Sequence, residues 1–186
     1  MITDAPHYSF SVEEYHKLGE AGILTEDDRI ELLHGELLIM SPIGISHNFV
    51  VQQLTEFFSE SARKRYITRS QCTLLCGEAS ELLPDLVLLR AEPHRYRDRH
   101  PGPADVLLLI EVADESLGFD RGSKLRAYAA AGIPEYWIVN VRESRVEVHR
   151  EPAGEAFRTV HSAGRGDTLA PLLAESGEVP LADIFP

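Results

Sequence analysis

Apolar residues along the chain follow two rhythms. Val50, Val51, Leu54, Phe57, Phe58 and Ala62 recur at the three-and-four spacing of a helix with one buried face. Ser46 stands ahead of them as N-cap, so a helix is predicted from about His47 to Tyr66. Leu83–Arg90 and Asp105–Ala113 are instead almost continuously apolar, as central strands covered on both faces should be. A strand over Ile67–Leu75 precedes them. Ser11-Val12-Glu13-Glu14 has the form of a capping box and opens a short helix that closes near Gly19 or Gly22. Arg29–Leu33 and Glu36–Met40 flank His34-Gly35, which reads as a tight hairpin turn with Gly supplying positive φ, and Ser41-Pro42-Ile43-Gly44 then breaks the pattern.

Further along, Asp120 is placed to cap a helix through Ala131, which Gly132-Ile133-Pro134 stops. Glu135–Val141 and Arg145–Arg150 form a strand pair, followed by a weaker strand near Phe157–His161 and a short turn at Leu181–Phe185. The order α-ββ-α-βββ-α-ββ-β describes a mixed α/β (α+β) fold, and 186 residues suit a single domain over 1–186. Exposed edge strands after Pro134 are compatible with a homodimer.

Composition narrows the function classes. No apolar run is long enough to cross a bilayer, and Met1-Ile2-Thr3-Asp4-Ala5-Pro6-His7 does not read as a signal peptide. Cys72 and Cys76 would share one face of a strand roughly 13 Å apart, too far for a disulfide, which points to a reducing cytoplasm. The net charge of −12 argues against a protein that coats nucleic acid non-specifically, because phosphate binding needs clustered Lys and Arg. It leaves open one local basic patch. Glu92–Pro101 carries Arg95, Arg97 and Arg99 around Tyr96, and could grip a phosphate backbone while Tyr96 stacks on a base; the alternative is a solvated loop whose arginines pair with surplus acids. Arg63-Lys64-Arg65 is explained by complementing a helix dipole.

The carboxylates carry the chemistry. Asp85 and Glu111 each interrupt a run that otherwise reads as buried strand. A buried unpaired carboxylate costs several kcal/mol, and two of them about 4 Å apart repel by roughly 4 kcal/mol at an effective dielectric near 20. A divalent cation reverses that sign, and oxygen ligands favour Mg²⁺ or Mn²⁺ over zinc. The alternative is that each carboxylate pairs with an arginine or faces out at a strand end.

The pattern resembles the PD-(D/E)xK nuclease superfamily, where an aspartate after proline and an acid two residues before a lysine bind metal. Within it the chain is similar to the Uma2 family of restriction-endonuclease-like proteins. The resemblance runs from Arg29-Ile30-Glu31-Leu32-Leu33-His34-Gly35-Glu36-Leu37 through Pro84-Asp85-Leu86-Val87, Ile110-Glu111-Val112 and Lys124-Leu125-Arg126-Ala127-Tyr128. Its most specific stretch is Ala131-Gly132-Ile133-Pro134-Glu135-Tyr136-Trp137-Ile138-Val139, and it extends to Val148. It implies a mixed central sheet flanked by helices, with an N-terminal helix and β-hairpin, and a Mg²⁺- or Mn²⁺-dependent nuclease acting on DNA, with RNA as the alternative substrate. Asp85 and Glu111 would hold the metal.

Where the superfamily lysine is expected, two residues beyond the acid, this chain has Ala113. Lys124, in the first turn of the helix after the Glu111 strand, is the candidate replacement, a relocation that the resemblance implies; otherwise Asp120 and Lys124 form an i, i+4 surface pair. Glu36 is the third candidate acid, since the matching family acid looks functional, with Glu31 less favoured as a mid-strand residue of a half-exposed hairpin. His47, Arg95, Arg97 and Tyr128 are candidate substrate contacts, Tyr128 with packing as its alternative. Two other readings remain: a catalytically silent nuclease fold kept for binding or assembly, and a small-molecule metal hydrolase.

Overall fold

The computed structural model describes residues 7–40, 42–62, 64–173 and 176–186, with the side chain of Glu26 set aside. The sequence readings at Met1–Pro6, Ser41 and Arg63 lie outside them. Ser11 caps α1 (Val12–Glu20): its hydroxyl accepts from the Glu14 amide, and Glu14 accepts from the Ser11 amide. Gly22, at φ +68°, follows the helix end. β1 (Ile30–Leu33) and β2 (Glu36–Ile39) form the expected hairpin, with positive φ at both His34 and Gly35, the geometry of a type I′ turn.

The long helix α2 spans Ile45–Ala62, shorter at its end than the spacing predicts. Ser46 lies inside it, and the Asn48 amide donates to the Gly44 carbonyl. Lys64 at φ +68° turns the chain so that Tyr66 begins β3 (Tyr66–Ser70). Val50, Leu54 and Phe58 are its buried stripe.

The strand expected over Ile67–Leu75 is interrupted. Gln71 takes φ +47°, and β4 (Leu74–Leu75) belongs to another sheet, so Cys72 and Cys76 flank a break and do not share one strand face; both are free thiols. The strand expected from Leu83 starts three residues late, as β6 (Leu86–Arg90) in the large sheet, and β5 (Glu81–Leu82), which the apolar pattern does not mark, lies just ahead of it in the small sheet. Pro84, without an amide proton, lies at the changeover.

β7 (Val106–Ala113), β8 (Glu135–Asn140), β9 (Arg145–Ala153) and β10 (Ala156–Gly164) complete the large sheet, ordered β10-β9-β8-β7-β6-β3. Its pairs are antiparallel except β7–β8, which need a crossover. The crossover is a helical rod: α3 (Leu117–Phe119), a π-helical turn (Asp120–Lys124) and α4 (Leu125–Ala130). Asp120 therefore does not cap it, since it lies one turn inside. Gly132 at φ +77° ends it, followed by Ile133-Pro134. The small sheet runs β2-β1-β5-β4, β11 (Thr168–Leu169) pairs with β12 (Val179–Pro180), and α5 (Leu181–Ile184) forms where a turn was expected.

Side chains alternate across the large sheet. Leu86, Leu88, Leu108, Ile110 and Val112 pack with α2 and α5; Val87, Leu89, Leu109 and Ala113 pack with the crossover helix. By the same period of two, Asp85 and Glu111 fall on the crossover side. No helix among the described residues is long and apolar enough to span a membrane.

Candidate active site

Leu86 pairs with Ile110, so one step further along the antiparallel register sets Asp85 opposite Glu111 on one face. The two are laced together. The Asp85 amide donates to Glu111 Oε2 at 3.3 Å, and the Val112 amide donates to Asp85 Oδ2 at 2.8 Å. Among the described residues no arginine pairs with either.

Lys124 reaches in from the π-helical turn. Its Nζ donates to Glu111 Oε1 at 2.8 Å and lies 3.1 Å from Glu31 Oε2. A wider turn of helix changes which side chains meet the sheet, and such turns recur at functional sites. The surface pair with Asp120 does not form; the ammonium is buried between two acids from different strands.

Of the two hairpin acids, the structure brings Glu31 to the cavity and leaves Glu36, the favoured candidate, outside it. β1 pairs with β5, burying Glu31 so that it accepts the Leu83 amide at 2.6 Å and holds Lys124. Glu36, at the turn end of β2, is exposed and outside the cavity. The signal was in the sequence: Ile30-Glu31-Leu32-Leu33 sets an acid inside an apolar run, as at Asp85 and Glu111.

Asp120 is a fourth buried acid, bonded to the Ser116 hydroxyl. Burial pushes its pKa up to about 6, with Asp85 and Glu31 adding to the effect and Ser116 and Lys124 opposing it. Glu111 is raised well above the carboxylate range, by burial first and then by Asp85, Asp120 and Glu31, against the pull of Lys124. Burial works against the Lys124 charge, but Glu111 and Glu31 outweigh it and hold the ammonium protonated. One cation thus faces four buried acids.

A cavity of about 620 Å³ opens onto these groups, with Glu31, Asp85, Glu111, Asp120, Lys124 and His47 in its wall. His47, in the first turn of α2, places Nε2 3.0 Å from Asp85 Oδ2, and its buried Nδ1 has no partner among the described residues. Tyr128 stands behind Glu111, not in the cavity wall: it is buried and donates to Oε1 at 2.7 Å.

The basic loop lies elsewhere. β6 and β7 are antiparallel, so the segment joining them sits at the far end of the pair, roughly 17 Å of strand from Asp85. Tyr96 is buried, its hydroxyl on the Arg90 carbonyl and its ring beneath Arg69 and Arg99. Arg97 pairs with Asp98, and the Arg95 carbonyl accepts from Arg69. Arg95 and Arg97 are therefore not part of this site.

The chain matches, over residues 12–181, the family described as "Uma2: Putative restriction endonuclease". It belongs to the Uma2 family. No curated protein matches it. Among solved structures it resembles a chain from Anabaena variabilis ATCC 29413 described as "a putative nuclease belonging to DUF820". The TM-score is 0.73 at 12% identity, covering 95% of this chain and 97% of that one, a likeness of fold.

In this Uma2 protein Ala113 packs in the core, and the ammonium at the acids comes from Lys124. A divalent cation suits the donor set. Asp85 and Glu111 are oxygen donors on neighbouring strands, and the buried acids outnumber their one cationic partner. Among the described residues no three His, Cys, Asp or Glu groups are already gathered for a metal. Two carboxylates and a shell of water are what Mg²⁺ commonly takes.

Proposed function

We propose that this Uma2 protein is a nuclease that hydrolyses phosphodiester bonds in DNA, with Mg²⁺ or Mn²⁺ held by Asp85 and Glu111. The observation that carries this reading is the opposition of those two carboxylates on one sheet face, with Lys124 bonded to Glu111. When bound, the cation lowers the pKa of a coordinated water and offsets charge on the scissile phosphate.

The remaining work falls to the chain's own groups. Lys124, held protonated by Glu31 and Glu111, offers a fixed positive charge where negative charge develops. Tyr128 fixes the Glu111 carboxylate, and the Val112 amide with His47 fixes Asp85. These contacts hold the acids in place before substrate arrives, so little reorganisation is needed during reaction.

Pure protein should cleave DNA only with Mg²⁺ or Mn²⁺ present. Asp85→Asn and Glu111→Gln should each abolish cleavage while circular dichroism shows the fold retained. Failure to cut DNA or RNA of any form with either metal overturns the proposal. The reading of a silent nuclease fold rests on Ala113 and on the acidic surface; Lys124 supplies the charge it takes as missing, while the net charge of −12 still favours it. Calorimetry with Mg²⁺ separates the two, since a silent site binds weakly and is indifferent to Asp85→Asn.

A further inference from the structure

The walls of the cavity carry a second message, about which form of DNA can use it. Glu31, Asp85, Glu111 and Lys124 are 2%, 8%, 3% and 4% exposed, so the reacting groups lie at the bottom of a recess. A scissile phosphate has to enter the recess to reach them. Duplex DNA is a stiff rod with a persistence length of about 150 base pairs, and its phosphates ride on the outside of paired bases. A single strand can bend a phosphate inward.

The upper wall is apolar. Leu38 and Ile39 from β2, Met40, Pro42, Ile43, and Phe119 from the crossover rod line it. Ile39 is 83% exposed and continues this apolar stretch to the surface, so the stretch is open to a ligand as one contiguous patch. Cations are scarce: among the described residues Arg29 is the one arginine or lysine in the lining besides Lys124, with the imidazole of His47, against Glu31, Asp85, Glu111, Asp114, Glu115 and Asp120. Asp114 and Glu115 both pair with Arg142, which lies outside the lining. A duplex is gripped through rows of phosphate contacts, and this surface has no row of cations to make them. What it offers is apolar area for the faces of bases, which pairing hides and a single strand exposes.

Building on the nuclease reading above, we infer that the substrate is unpaired DNA, one or two nucleotides of which enter the cavity. Their bases rest on the apolar wall around Ile39, and the phosphate between them meets Asp85, Glu111 and Lys124. Water adds to that phosphorus and one P–O bond to sugar breaks, leaving a phosphate on one fragment and a hydroxyl on the other.

The test uses the whole chain with Mn²⁺ and three end-labelled DNAs of one sequence: a single strand, a perfect duplex, and a duplex with a central unpaired bubble. The single strand should be cut at least tenfold faster than the duplex, and the bubble cut within its unpaired segment. Ile39→Ser should raise KM for the single strand at least fivefold with kcat within twofold. Fluorescence anisotropy with Ca²⁺ in place of Mn²⁺ should show the same loss of single-strand binding. Equal or faster cutting of the duplex, or an unchanged KM in Ile39→Ser, overturns the inference and leaves the nuclease reading standing. No cutting of any of the three overturns both.

Discussion

Lys124 holds two buried carboxylates at once, Glu31 and Glu111, from strands of different sheets. Removing one partner from a buried ionic cluster strands the others, at a cost of about 3–5 kcal/mol. Lys124→Gln should therefore lower stability by that order in urea titration and also abolish cleavage; a stable variant would mean the acids are neutralised some other way. Asp120 gives the opposite case. Its folded-state pKa, about 6 against an ordinary 3.8, means the native protein binds this proton more tightly than the unfolded chain does. Its burial is therefore free of penalty below about pH 3.8, costs more as pH rises through the interval, and costs the full amount above pH 6. The full cost is roughly 3 kcal/mol. Asp120→Asn should melt higher than wild type at pH 8, with the gap closing toward pH 4. A variant that melts lower at pH 8 would show that the Asp120 charge stabilises the native state through Lys124.

At the scale of elements, the hairpin that delivers Glu31 depends on Gly35. Its φ is +80°, and a Cβ there would stand 1.9 Å from the Ser9 hydroxyl oxygen. Gly35→Ala should destabilise the protein beyond the roughly 1 kcal/mol of an ordinary Gly→Ala change at positive φ, read as a lower melting temperature. A neutral result would mean the Ser9 segment shifts freely. That hairpin, α1 with its capping box, the paired carboxylate strands and the stop at Gly132-Ile133-Pro134 were all legible, because each rests on local chemistry. The pattern could not show where strands change sheets. Ile67–Leu75 reads as one strand, since a strand-like run looks the same on either side of a break, and β5 (Glu81–Leu82) is too short to be marked ahead of the Leu83–Arg90 run. Nor does any residue in Asp120–Lys124 announce a π-helical turn, which tertiary packing selects. Glu31 went unfavoured for a related reason: its burial comes from β5, a two-residue strand with no periodicity to detect.

Over the whole molecule, charge decides how substrate can be held. The chain carries 30 acids and 18 lysines and arginines, and the basic segment Glu92–Pro101 is turned away from the cavity, with Arg97 paired to Asp98 and Arg99 to Asp105. Binding that depends on phosphate contacts releases counterions, and log K falls with log salt at a slope of about −0.7 per phosphate neutralised on a single strand. With Arg29 and Lys124 as the arginine and lysine that line the cavity among the described residues, one or two phosphates can be neutralised, which corresponds to a slope between about −0.7 and −1.4. Anisotropy titrations of a single-stranded oligonucleotide with Ca²⁺ held constant, across a salt series, should fall in that range. A slope as steep as −4 would mean an extended basic surface takes part, and with a chain this acidic that surface would have to come from a rearranged Glu92–Pro101 segment or from a partner. A slope near zero would place all of the affinity in base contacts and the bound cation.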